Sequence, residues 1–434
     1  MMVRAAPVIA LFPEASFGAA LNCVGIAQIL RERGARPVFI CHPGFTGLFA
    51  DYGFAEHHLP APGPISGKEG RPDTWQDFVR RHLPHFNLPP VDQLDTYVAP
   101  TWEAIVDTAI DAEQGLSNLL ARLKPDAVVL DNVIMFPALA TSDIPWVRVV
   151  SCAETEIPDA NVPPYLSGLA ATDPARADFE QRYLAAIAPA HDRFNRFRAS
   201  VGLSALPSGE FLEPSPWLNL LLTPRIVKRD RALPLDAQKF VYLEGCVRNE
   251  GPFEPPEFPR GEGPLVYLGF GSLGASDVAL IERMISVFAT FPARFIVNVG
   301  GFRDAYRAVP DNVYLDGWLP QPSVVAQCDL FIHHGGNNSF CEALYFGVPS
   351  LVMPYCWDGH DNALRAVETR VGLRLDRASW TAQDLASAMS TLLGDSNMRN
   401  RLKENAAGMS ANPGATRAAE AVLELTRADA KRDR

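Results

Sequence analysis

The stretch from His333 to Ala363, HHGGNNSFCEALYFGVPSLVMPYCWDGHDNA, permits few folds. It starts where the apolar run Asp329–Ile332 ends, as a strand buried in a parallel sheet does. Gly335 and Gly336 follow, then Asn337 and Asn338, either of which suits a helix cap. Ser339 to Phe346 predicts a short helix, stopped by Gly347 and Val348-Pro349, and Ser350 to Pro354 predicts the next parallel strand. A strand, Gly-Gly turn, helix and strand present free backbone N–H groups and the positive end of a helix dipole at the mouth of a sheet, a place that binds phosphate. His334 is placed to donate to a pyrophosphate oxygen. Glu342, one turn past Asn338 on the same helix face, is placed to accept from ribose hydroxyls. An ordinary strand–helix turn with a solvated glutamate would explain a bare Gly-Gly pair. It does not explain His, Gly, Asn, Ser and Glu in useful register with Asp358, Asp361 and Asn362 behind them.

These residues also carry a resemblance. His334, Gly336, Asn338, Ser339, Glu342-Ala-Leu344, Gly347-Val-Pro349, Pro354, Asp358 and Asn362-Ala363 are similar to the donor-site signature of the UDP-glycosyltransferases, which glycosylate small lipophilic acceptors. One position departs: the glutamine that follows the Asp in that family is Gly359 here, with His360 and Asp361 after it.

Bulk properties agree with an ordinary soluble globular protein. A chain of 434 residues suggests two or more domains, and 47% hydrophobic with 21% charged residues is ordinary globular composition. A net charge of −11, with no basic run beyond the short mixed cluster Arg225–Arg231, argues against a nucleic-acid surface. No stretch approaches the ~20 apolar residues of a membrane span. The opening MMVRAAPVIALF reads as a first buried strand rather than a signal peptide. Seven scattered cysteines show no metal spacing; Cys23, Cys152, Cys328 and Cys341 read as small buried thiols, and a reducing cytoplasm fits them.

In chain order, Pro7–Phe12, a helix over Asn22–Arg33 closed by Gly34, and Pro37–Cys41 form an opening strand–helix–strand unit. The loop 13–19 lies at the carboxyl end of the first strand, where open α/β sheets bind ligands. Residues 60–100 are irregular, with a partly helical piece over 75–82 and with His82 and His85 expected at the surface. A helix over Trp102–Leu123 leads to a strand ending in Asp131, which is followed by a strand over Val147–Cys152, an irregular segment 161–168, a helix over 178–201 and a strand over 218–223. Residues 244–264, EGCVRNEGPFEPPEFPRGEGP, read as a semi-rigid linker. Leu265–Gly271-Ser272 is a strand into a glycine turn; strands over 294–300 and 312–315 precede Gly317-Trp318-Leu-Pro-Gln321, and helices over 381–393, 397–409 and 414–425 end the chain before a frayed ADAKRDR.

The resemblance implies an α/β chain of two facing Rossmann-like domains, the GT-B arrangement, with parallel sheets flanked by helices. Residues 1–243 would bind the acceptor, 265–410 the UDP-sugar, and 411–434 would pack back across the first domain. Ser272 and His334 would meet phosphate, Trp318 would stack on the pyrimidine with Gln321 beside it, and Asp358 and Asp361 would hold sugar hydroxyls. The chemistry implied is one in-line inverting displacement with no metal and no cofactor beyond the UDP-sugar co-substrate. The family's base is a histidine oriented by an aspartate; Asp131 matches the aspartate, but the family register places Ala19 where the histidine belongs. Three accounts stand: an engineered His→Ala change, another base among Glu14, Ser16 and Asp131, or a protein that binds nucleotide-sugar without turnover.

Overall fold

Near-continuous apolar runs make strands buried on both faces, and the chain assembles them into two sheets in which every pair is parallel. The computed structural model describes residues 5–60, 81–259 and 262–432. The first sheet contains β1 (Val8–Pro13), β2 (Arg36–Cys41), β3 (Ala55–His58), β4 (Ala127–Asp131), β5 (Trp146–Val150), β6 (Leu218–Leu221) and β7 (Phe240–Tyr242), in the order β3-β2-β1-β4-β5-β6-β7. The second contains β8 (Leu265–Gly269), β9 (Arg294–Asn298), β10 (Val313–Asp316), β11 (Leu330–His333), β12 (Ser350–Val352) and β13 (Gly372–Arg374), in the order β10-β9-β8-β11-β12-β13. Each order reverses once, between β1 and β4 and between β8 and β11. Such switch points open a crevice at the carboxyl ends of the strands.

The helices that matter below are α1 (Phe17–Glu32), α2 (Ala99–Leu123), α3 (Arg176–Ser200), α4 (Val278–Phe288), α5 (Asn337–Phe346), α6 (Gly359–Glu368), α7 (Ala382–Gly394), α8 (Ser396–Ala411) and α9 (Gly414–Arg432). α9 leaves the second half of the chain and lies on α1. Ala415, Ala418, Ala419 and Val422 share an apolar cluster with Val24, Ala27 and Leu30, and Arg33 meets Glu420 at 2.8 Å. Among the described residues no helix is long and apolar enough to cross a membrane, and all seven cysteines are free.

Several expectations shift. α1 starts at Phe17 rather than Asn22, because Ser16 in an extended conformation caps it and accepts from the Ala19 N–H. α5 is capped by Gly336, with no side-chain bond; Asn337 is already helical and its amide reaches across to the Leu222 carbonyl at 2.8 Å. His82, expected at the surface, is buried edge-on against Tyr97. Cys23 and Cys341 are buried as expected, whereas Cys152 and Cys328 are half-buried. α9 continues through the expected frayed segment to Arg432. The helix expected over 75–82 falls mostly on residues outside those described.

Candidate active site

At the first switch point β1 and β4 run side by side, with Pro13 paired to Asp131, so the chain leaving β1 passes directly over the end of β4. The Glu14 N–H donates to the Asp131 carbonyl at 2.7 Å, and the Ser16 N–H donates to the Glu14 carbonyl at 2.8 Å. The loop from strand to helix is thereby fixed. Cys23 Sγ lies 3.9 Å from Asp131 Oδ2, and Ala19 is one turn earlier on that helix face. Asp131 has other partners, however. The Ser151 hydroxyl donates to its Oδ1 at 2.5 Å, and its side chain is almost wholly buried. Burial pushes the Asp131 carboxyl well above the usual range, against the pull of the Ser151 hydrogen bond.

Other carboxylates face the same crevice. Glu14 is half-buried, and burial lifts it to about 7 while the Ser16 hydroxyl opposes and Glu156 adds to the rise. Glu156, in the turn after β5, is tied to Arg148 at 2.7 Å. From the second sheet comes Asp358, raised to about 8 by burial, partly opposed by the Asn337 N–H, and raised further by the charges of Asp361, Glu14 and Glu156. Ser151 and Glu156 carry no motif; only the pairing of β4 with β5 brings them to Asp131.

At the second switch point the turn after β11 meets the turn after β8. The His334 ring stacks on Tyr355, and its Nδ1 accepts from the Gly336 N–H at 3.2 Å. Burial and then the Arg377 charge hold His334 down to about 4, so the ring is neutral near pH 7. With Nδ1 accepting, the proton sits on Nε2. Nε2 lies 3.1 Å from where a Cβ on Gly271 would stand, so it points at the turn that exposes Ser272. The N-terminus of α5 opens beside it, with Asn338 half-buried and Ser339 buried. Trp318 is 59% exposed and its ring stands 6.1 Å from Phe17 of the first domain.

Three expected donor contacts, Glu342, Gln321 and Asp361, are engaged within the protein. Glu342 is fully buried: Arg248 holds one oxygen at 3.0 Å and the Gln321 amide holds the other at 2.7 Å. Gln321 also donates to Ser339 at 3.1 Å. These residues brace the floor under the α5 N-terminus and tie it to the linker through Arg248. Asp361 turns to the first domain and accepts from the Thr155 hydroxyl at 2.6 Å and from the backbone of Leu166 and Gly168 at 2.8 Å each. Trp357, in the left-handed region at φ 53°, reaches the same side. Its ring lies 5.7 Å from Trp102, 6.1 Å from Tyr165 and 6.5 Å from Tyr97. An aromatic wall drawn from Tyr97, Trp102, Tyr165 and Trp357 thus flanks the carboxylates.

Comparison with known proteins finds relatives of the same fold. Residues 282–425 match the family of the erythromycin biosynthesis protein CIII-like C-terminal domain. Oleandomycin glycosyltransferase of Streptomyces antibioticus is 23% identical over 421 residues, covering 95% of this chain and 90% of the relative. The glycosyltransferase of kitacinnamycin superposes with a TM-score of 0.71 at 19% identity, covering 97% of this chain and 99% of the other. The spinosyn rhamnosyltransferase complexed with thymidine diphosphate gives 0.64 at 18%, covering 96% and 99%.

Proposed function

Because the chain belongs to the bacterial UDP-glycosyltransferase family and is a natural-product type of glycosyltransferase with the GT-B fold, we propose that it moves a sugar from a UDP-sugar, UDP-glucose being the default, to a hydroxyl of a lipophilic small molecule with inversion. The observation that carries the reading is the meeting of two switch-point crevices. One offers hydrogen-bond donors (the His334 Nε2–H, the Ser272 hydroxyl and the α5 N–H groups), and the other offers carboxylates beside an aromatic wall. Donors aimed at a diphosphate stabilise the charge that grows on it as the bond to the anomeric carbon breaks. Trp318 offers an exposed face for the base, Asn338 a polar group at the helix start, and Asp358, protonated near neutral pH, a hydroxyl partner for the sugar. The aromatic cluster of Tyr97, Trp102, Tyr165 and Trp357 suits an apolar acceptor. With the diphosphate met by these groups, transfer proceeds without metal, and EDTA leaves its rate unchanged.

The reading is tested by incubating the protein and its Ala19→His variant with UDP-glucose or a dTDP-sugar and a panel of flavonoids, phenols, sterols and macrolides, with products read by mass spectrometry. Glycoside from the unaltered protein establishes transfer with alanine at position 19. Glycoside from the histidine variant alone makes Ala19 a disabled base. Silence from both, with nucleotide binding intact, favours the second reading that Ala19 raises, a nucleotide-sugar-binding protein of the same fold.

A further inference from the structure

We propose that Glu14 is the base that takes the proton from the acceptor hydroxyl in this chain; the inference rests on the transferase reading above. Each alternative at the first switch point is engaged elsewhere. Asp131 is almost wholly buried and receives the Ser151 hydroxyl and the Cys23 thiol. The Ser16 hydroxyl caps α1. Glu156 is held by Arg148. Glu14, half-buried like Ser16 and Glu156, lies on a loop fixed at both ends by backbone bonds to Asp131 and Ser16, at the mouth of the crevice that faces Asp358 and the donor turn.

The charge around it suits the role. Asp131 from β4, Glu156 from the turn after β5 and Asp358 from the opposite domain face this crevice, Arg148 is tied to Glu156, and burial holds Glu14 near 7. A base whose affinity for protons matches the working pH is the most effective kind. In the step, the Glu14 carboxylate accepts the hydroxyl proton as the acceptor oxygen bonds to the anomeric carbon. The bond from that carbon to the diphosphate oxygen breaks, and its electron pair leaves with the nucleotide. Glu14 ends as a neutral acid and returns its proton to water before the next turnover.

The test compares the full chain with its Glu14→Gln and Glu14→Asp variants, using any acceptor that the unaltered protein glycosylates and measuring UDP affinity by calorimetry alongside. Expected is a loss of about 10² to 10⁴ in kcat for Glu14→Gln, the size of a general-base contribution. UDP affinity is unchanged, Glu14→Asp recovers part of the rate, and added formate partly rescues a Glu14→Gly variant. The unaltered enzyme loses kcat/KM as pH falls through about 7, where Glu14 becomes protonated, and Glu14→Gln lacks that limb. Folding of the variant is checked by its melting curve. The folded state keeps the Glu14 proton up to about 7 and the unfolded chain releases it near 4.5, so the native carboxyl costs stability as pH rises across that span. Glu14→Gln is therefore expected to melt higher at pH 8 and to match the parent at pH 4. Turnover of Glu14→Gln within threefold of the parent overturns the base assignment and leaves the transferase standing. A parent that binds UDP yet glycosylates nothing overturns both.

Discussion

Gly359 stands where the family pattern has glutamine, and its surroundings give the reason. A Cβ there would lie 2.6 Å from the His334 carbonyl oxygen, because α6 begins pressed against the turn that holds the imidazole. Reinstating the family residue is therefore expected to damage the site. Gly359→Gln should cost about 1–3 kcal/mol, as overpacking does, and weaken UDP binding about tenfold by displacing His334; a melting curve and a calorimetric titration check both. Unaltered affinity would show that the turn yields without moving the imidazole. At this scale His334, Ser272 and Trp318 were legible because they lie in contiguous motifs. Ser151 and Glu156 were not, because only sheet order makes them neighbours of Asp131. Glu342 and Asp361 were legible as positions but not as contacts: their partners, Arg248 and the 155–168 segment, are remote in sequence.

Strands were the easiest elements to foresee, since a strand buried on both faces is written as an unbroken apolar run. The short β3, β7 and β13 lie toward the edges of their sheets and carry less of that signal. Helix starts moved where a cap decided them, as at Ser16 and Gly336. The segment 154–168 has little regular structure of its own, and one side chain of α6 anchors both of its ends alongside contacts from Arg148, Arg176 and Arg231. Both Asp361 oxygens are committed to it, and Leu166 adopts φ 66°, a conformation that a leucine holds only where its surroundings impose it. Asp361→Ala removes acceptors from buried donors, at about 1–3 kcal/mol for a group left unpaired. Amide exchange over 154–168 should then accelerate well beyond that of β5. Equal protection in the variant would mean that the aromatic wall, rather than the carboxylate, orders the segment.

The whole molecule is held by connections that run both ways between its halves. Arg229 reaches Glu368 at 3.3 Å, Arg365 reaches the Val227 carbonyl at 2.7 Å, and α9 covers α1. Ala415, Ala418, Ala419, Val422 and Leu423 are buried, and burying one large aliphatic side chain is worth about 1.5–3 kcal/mol. Domains are stable by only about 5–15 kcal/mol. A chain ending at Pro413 is therefore expected to lose its cooperative melt and to aggregate through the uncovered face of α1. A soluble truncated chain with a parental melting temperature would show that the first half needs no cover.

The return of α9 also dictates how hybrids of such enzymes must be cut. A single crossover in the linker would graft a foreign last helix onto the resident α1 and leave their apolar faces mismatched. Two crossovers, one in residues 244–264 and one at Asn412-Pro413, lift out the half built on the second sheet as a cassette and leave the first half with its own lid of helix.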